Sequence, residues 1–162
     1  MNMSEYPWSD ATHLWEQDGI AFALVPHPSF PARLNGYCCF PQKPVSAPAI
    51  DGILTYVPVH GGITYCETLA DGAVVYGFDC GHGGDDAPPH IYDLAWLKAH
   101  TQAMARSIQL AAEIEPAYLA ADSEEARAQI ITTYHRRCEL LGATFELTNN
   151  LGAMMNVLLG RL

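Results

Sequence analysis

Apolar and polar positions change rhythm near residue 90. Beyond it, Leu94, Leu97, Thr101, Met104, Ile108 and Ala111 recur at three- and four-residue steps, one stripe of an amphipathic helix. Pro116 is expected to end or kink that helix, because it lacks an N–H and crowds the preceding turn. Asp122 with Glu125 matches a capping box for a second helix, whose stripe is Ile130, Tyr134, Cys138 and Leu141. Gly142 fits its C′ position. A short strand over 144–147 and a final short helix, capped by Asn149 or Asn150 and ending near Leu159, complete this half, with Met154 and Met155 as packing residues.

Before residue 90 the runs are shorter. Asp10, Leu14, Ile20 and Leu24 suggest a short helix over 10–24, weakened by Gly19. Residues 36–40 and 53–59 read as strands. The clearest local signal is a pair of β-prone runs, 63–69 and 74–78, around Ala70-Asp71-Gly72-Ala73. Asp-Gly between such runs predicts a hairpin with a type I′ turn, since that turn requires positive φ at both central residues. Ten of eleven prolines and ten of thirteen glycines fall within residues 1–90. Strand and loop first, helix second, predicts an α+β fold. The expected form is a small antiparallel sheet with a central β-hairpin, packed against two to three C-terminal helices. One domain is expected over 1–162, with residues 1–90 carrying the site and 91–162 helical.

Composition narrows the function classes. The chain has 162 residues, 49% of them hydrophobic and only 16% charged, which argues against intrinsic disorder. Acids outnumber bases 18 to 8, for a net charge of −10. Only Arg136 and Arg137 are adjacent bases, so no nucleic-acid polymer is expected as a partner. No membrane partner is expected either. The longest uncharged stretches, 52–66 and 147–160, fall short of the ~20 apolar residues a spanning helix needs. Residues 1–10 show no secretory pattern. Five cysteines, with no CxxC pair, suggest reduced thiols and a cytoplasmic location.

Chemically capable side chains crowd into residues 60–90, which hold three histidines, four aspartates and two cysteines. A turn at Asp71-Gly72 would set Tyr65 opposite Phe78, Thr64 opposite Asp79 and Gly61 opposite His82. His60-Gly61-Gly62 would then lie beside the segment 79–86. In that register His60 falls about four residues from Asp79, too far for contact at ~3.3 Å per residue unless the strand bends. A bulge would slip the pairing by one.

Three chemistries suit the cluster. The glycines Gly61, Gly62, Gly83 and Gly84 could offer backbone N–H groups to a phosphate, with His60 and His82 adding hydrogen bonds. His60, Asp79, Cys80, His82, Asp85 and His90 are all donor types for a zinc-like ion, although no recognised zinc spacing is present, so no cofactor is assigned. His60 or His82 could act as a general base oriented by Asp79 or Asp85, and Cys80 as nucleophile would need such a base. Against these stand plain structural roles. The glycines can serve turns, Cys66 and Cys80 can be small buried hydrophobes, and His13, His27, His100 and His135 have no local company.

The strings His60-Gly61-Gly62-Ile63-Thr64-Tyr65 and Tyr76-Gly77-Phe78-Asp79-Cys80-Gly81-His82-Gly83-Gly84-Asp85 resemble a pattern of small phage and prophage proteins of unassigned function. That pattern runs HGG-(L/I)-T-(Y/F), then GFD-C-x-H-x-GD, then a helix. This chain departs from its aromatic pair before Gly77, carrying Val75-Tyr76. The resemblance implies a viral or mobile-element origin, hence a host cytoplasm, and no particular reaction.

The leading expectation is therefore a binder of a phosphorylated or nucleotide-like small molecule, in one version sequestering a host signalling nucleotide. Catalytic candidates are His60, Asp79 and His82. Ligand-binding candidates are His60, Gly61, Gly62, Thr64, Cys80, Gly83, Gly84 and Asp85. The alternative is a hydrolase, metal-assisted or His/Asp-dependent, acting on a phosphoester or amide. A third reading makes the cluster a purely structural stabiliser of the hairpin. The net charge opposes an anionic ligand at long range. The 91–115 stripe serves either the core or a homo-oligomer.

Overall fold

A computed structural model describes residues 6–46, 52–83, 85 and 92–141. Five antiparallel strands form one sheet: β1 His13–Gln17, β2 Ile20–Pro26, β3 Leu34–Phe40, β4 Tyr65–Thr68 and β5 Val74–Phe78. Their order across the sheet is β1-β2-β3-β5-β4. Two helices follow, α1 Leu94–Ala120 and α2 Glu124–Leu140. The fold is α+β.

The expected helix over 10–24 is instead β1 and β2, paired from His13↔Leu24 to Gln17↔Ile20. The two residues between them, Asp18 and Gly19, have φ of 53° and 74°. Both lie in the left-handed region that a type I′ turn demands and a right-handed helix forbids. The expected strand over 53–59 is a 3-10 turn at Ile53–Tyr56, with Ile53 and Leu54 buried. A short apolar run looks alike whether it is a strand or a buried turn.

At the second Asp-Gly step only Gly72 is left-handed, at φ 86°. Gly72 N–H donates to the Leu69 carbonyl at 3.0 Å, and Leu69 N–H to that of Ala73 at 2.8 Å. The Asp71 carboxylate accepts Ala73 N–H at 3.1 Å. This is a three-residue loop with a left-handed glycine rather than a two-residue one. The pairing therefore runs one residue away from that expected, with Tyr65↔Gly77 and Cys66↔Tyr76. Strand β4 is an edge strand, and β3 occupies the centre of the sheet.

Alternation along the strands fills two apolar clusters. Phe22, Leu24, Cys38, Phe40, Val74, Tyr76 and Phe78 join Leu97, Met104, Ile108 and Ala111 of α1 in the larger core. Ala23, Val25, Tyr37, Cys39 and Val75 share the second with Trp8, Leu69 and Ala73. The α1 stripe is thus engaged within the chain from Leu97 to Ala111, with Leu94 exposed.

Asp93 caps α1, its carboxylate accepting Ala95 N–H at 2.8 Å. Pro116 lies inside this helix, which continues to Ala120. Just before the proline, the buried Glu115 accepts Ser46 N–H at 2.8 Å and ties the 41–46 segment to α1. The cap of α2 is Ser123, accepting Ala126 N–H at 3.2 Å, rather than Asp122. Its buried face is Ile131, Tyr134 and Cys138, while Leu141 is exposed. His135 Nε2 lies 2.9 Å from the Tyr56 carbonyl, and burial holds its imidazole below the ordinary histidine pKa. The strand expected over 144–147, the last helix, Gly142 and the Met154-Met155 pair lie outside the described residues.

Two buried tyrosines make contrasting tests of this core. Tyr134 donates its hydroxyl to the Ser107 carbonyl at 2.9 Å. The Tyr76 hydroxyl is buried with no hydrogen-bond partner among the described residues. Urea denaturation should show Tyr134→Phe losing ~1 kcal/mol and Tyr76→Phe losing nothing or gaining up to ~1 kcal/mol. A cost for Tyr76→Phe equal to that of Tyr134→Phe would contradict the packing described.

Candidate functional site

The pairing of β4 with β5 ends at Tyr65 and Gly77, so the ladder itself does not carry His60 to His82. Two local devices do. On one side, Gly61 and Gly62 have φ of 66° and 86° and reverse the chain directly after His60. Gly62 N–H closes that turn on the Val59 carbonyl at 3.0 Å. On the other side, residue 80 is clamped to the sheet. Cys80 N–H donates to Asn35 Oδ1 at 3.1 Å. The buried Arg33 donates from Nη1 to the Cys80 carbonyl at 3.0 Å.

Beyond that clamp three hydrogen bonds tie Gly81 to Asp79 and His82 to Asp85. Gly81 N–H donates to Asp79 Oδ1 at 2.9 Å, and His82 N–H to Asp85 Oδ2 at 2.7 Å. Asp85 N–H returns to the His82 carbonyl at 3.1 Å. The result sets the His60 and His82 rings 5.5 Å apart, nearly edge to face. His60 Nε2 lies 3.0 Å from Asp85 Oδ1, with both side chains only 1% exposed. His82 Nδ1 lies 3.6 Å from Asp79 Oδ1 and 3.6 Å from Asp85 Oδ2. His82 and Asp79 form the open side, at 23% and 30% exposure.

Helix α1 supplies the floor. His100 is buried and accepts the His60 backbone N–H on Nε2 at 2.9 Å. A neutral His100 therefore carries its proton on Nδ1. Its ring stacks on Trp96 at 4.4 Å and meets the edge of Phe78 at 5.1 Å. On the outer side, the His27 ring packs so closely over Gly81 that a Cβ there would lie 2.4 Å from His27 Nε2.

Comparisons with known proteins leave the site to be read on its own geometry. No family model, curated protein or solved structure matches this chain.

Of the candidates named from sequence, His60, His82 and Asp85 converge so that one nitrogen or oxygen of each lies within 4.8 Å of the others. Asp79 stands beside them through His82. Gly61 and Gly62 shape the turn. Cys80 is fully buried in the larger core and contributes its backbone to the clamp. Thr64 is exposed and donates its N–H to the Gly77 carbonyl at 2.9 Å, and Gly83 is exposed. Gly84 and His90 lie outside the described residues. Arg33, Asn35, His27 and His100 also build the site. Only a three-dimensional path links them to residues 60–85, since Arg33 is 47 positions from Cys80 and His100 is 40 from His60.

Gly61 offers a direct test of this packing. A Cβ at residue 61 would lie 2.0 Å from His82 Cε1, whereas one at Gly19 would meet nothing within 4 Å. Both residues have left-handed φ, where a side chain costs ~1–2 kcal/mol. Gly19→Ala should show about that loss in urea denaturation. Gly61→Ala should lose clearly more and shift the NMR resonances of the His82 ring. Equal losses, with the His82 resonances unmoved, would refute the contact.

Proposed function

We propose that this protein is a hydrolase whose reaction centre is the cluster of His60, His82 and Asp85, with Asp79 at its rim. The single observation behind this reading is convergence. Two imidazoles and a carboxylate from segments more than twenty residues apart meet at one point, buried on one side and open at His82 and Asp79. Such a set activates water, because it holds proton acceptors in fixed orientation with little reorganisation on reaction. The substrates in view are a phosphoester or an amide. Hydrolysis adds the water oxygen to phosphorus or carbonyl carbon, breaks the P–O or C–N bond, and passes a water proton to the leaving group.

Capture of a phosphate by backbone donors is the weaker reading. Gly62 N–H is engaged by Val59, Gly81 N–H by Asp79 and His82 N–H by Asp85. Two carboxylates at the same point, on a chain of net charge −10, repel an anion further. Hydrolysis of a phosphoester needs only brief binding of such a group. The phage-type motif is consistent with a small protein acting in a host cytoplasm on a host metabolite.

The test is turnover of chromogenic phosphomonoester, phosphodiester and anilide substrates by the full chain, beside Asp79→Asn and His82→Ala variants. At least one substrate class should be hydrolysed, and each variant with a native circular dichroism spectrum should lose ~10²–10⁴-fold in rate. Absence of turnover on every class, or turnover unchanged in both variants, would overturn the proposal.

A further inference from the structure

We infer that His60, His82 and Asp85 are the ligands of a single zinc-like divalent cation. This inference rests on the hydrolase reading only for what the cation does, not for whether it binds.

The spacing argues for a metal over a hydrogen-bonded dyad. His82 Nδ1 is buried and has no hydrogen-bond partner among the described residues. It faces two carboxylate oxygens, each at 3.6 Å. That gap is too long for a hydrogen bond. It does suit two donors sharing one ion. Ligands at zinc distances of ~2.0–2.1 Å in a tetrahedron stand about 3.3 Å from one another. The His60 Nε2–Asp85 Oδ1 contact of 3.0 Å and the His82 Nδ1–Asp85 Oδ2 contact of 3.6 Å, made to the two oxygens of one carboxylate, lie on either side of this value. The separations in the set, all within 4.8 Å, reach the tetrahedral value by side-chain shifts of up to about 1.5 Å, for which the partly exposed His82 ring has room.

The donor set and surroundings agree. Two imidazoles and one carboxylate suit zinc, and also iron(II). His100, accepting the His60 backbone N–H, fixes where one ligand is anchored. The net charge of −10 draws cations toward the chain. Three protein ligands leave a fourth position for water. The exposed part of the cluster, through which water has access, is the His82 and Asp79 side. Asp79, steadied there by Gly81 N–H, is the carboxylate that takes the proton from such a water.

Calorimetric titration of the chelator-treated full chain with zinc chloride, then cobalt(II), manganese(II) and iron(II), tests the site. One zinc per chain is expected, with a tetrahedral cobalt(II) visible spectrum. The melting temperature should rise by about 5–10 °C at a hundredfold excess over Kd. His82→Ala and Asp85→Asn should each weaken zinc binding at least ~100-fold, and Cys66→Ala should leave it unchanged. If a variant fails to fold, loss of the His82 and His60 ring resonances on adding manganese(II) to the wild-type chain reads the same contact. No binding of any of the four ions, or binding undiminished in both folded variants, overturns the inference. Stoichiometric, His82-dependent zinc binding by a chain whose hydrolysis survives complete metal removal supports the site and leaves the reaction to the side chains alone. Stoichiometric, His82-dependent binding without turnover of any substrate supports the metal centre and removes the hydrolase instead.

Discussion

A carboxylate kept out of water organises this end of the sheet. Asp85 is almost fully buried, and burying an ionised carboxylate alone costs several kcal/mol. Its two oxygens are met separately. One faces the His60 ring, and the other receives the His82 backbone N–H. Satisfying both draws Asp85 back onto His82 and requires the turn after His60 to face it. The His–Asp–His geometry follows from that compensation.

The compensation rests on a second buried charge. Arg33 is nearly sealed from solvent, and its guanidinium grips the carbonyl of Cys80 while stacking over Phe30. With Asn35 of β3 on its N–H and Arg33, just before β3, on its carbonyl, residue 80 is held from both sides. Clamping the backbone here leaves the side chains beyond free to point at His60. Rigid support of this kind holds the side chains of His82 and Asp85 in a fixed relation to His60.

Core and site also share one helix. The face of α1 that packs on the sheet through Leu97, Thr101 and Met104 carries His100, while Trp96 stacks on it from the preceding turn. Sheet packing and site geometry are therefore coupled. A change in how α1 sits on β3 would move the acceptor of the His60 N–H. The acidic balance of the chain works in the same direction as the geometry, favouring a cation at the cluster over a phosphate.

Two Asp-Gly steps show how far local pattern reaches. Both sit between β-prone runs. Asp18-Gly19 makes the two-residue turn that the pattern suggests for Asp71-Gly72, because the neighbours of each decide how many residues the loop holds. The helical half was legible because its stripe repeats over many turns, yet Pro116 inside α1 was not, since packing on either side outweighs one missing hydrogen bond. The histidine-rich stretch stood out by its composition alone. His27, His100 and Arg33 gave no such sign, each being isolated in the chain. By itself the sequence determined the class of fold and the supply of imidazoles and carboxylates, because periodicity and composition are local properties. Which of them meet was decided only in three dimensions, where a one-residue difference in a turn and a buried arginine far along the chain set distances of a few ångströms.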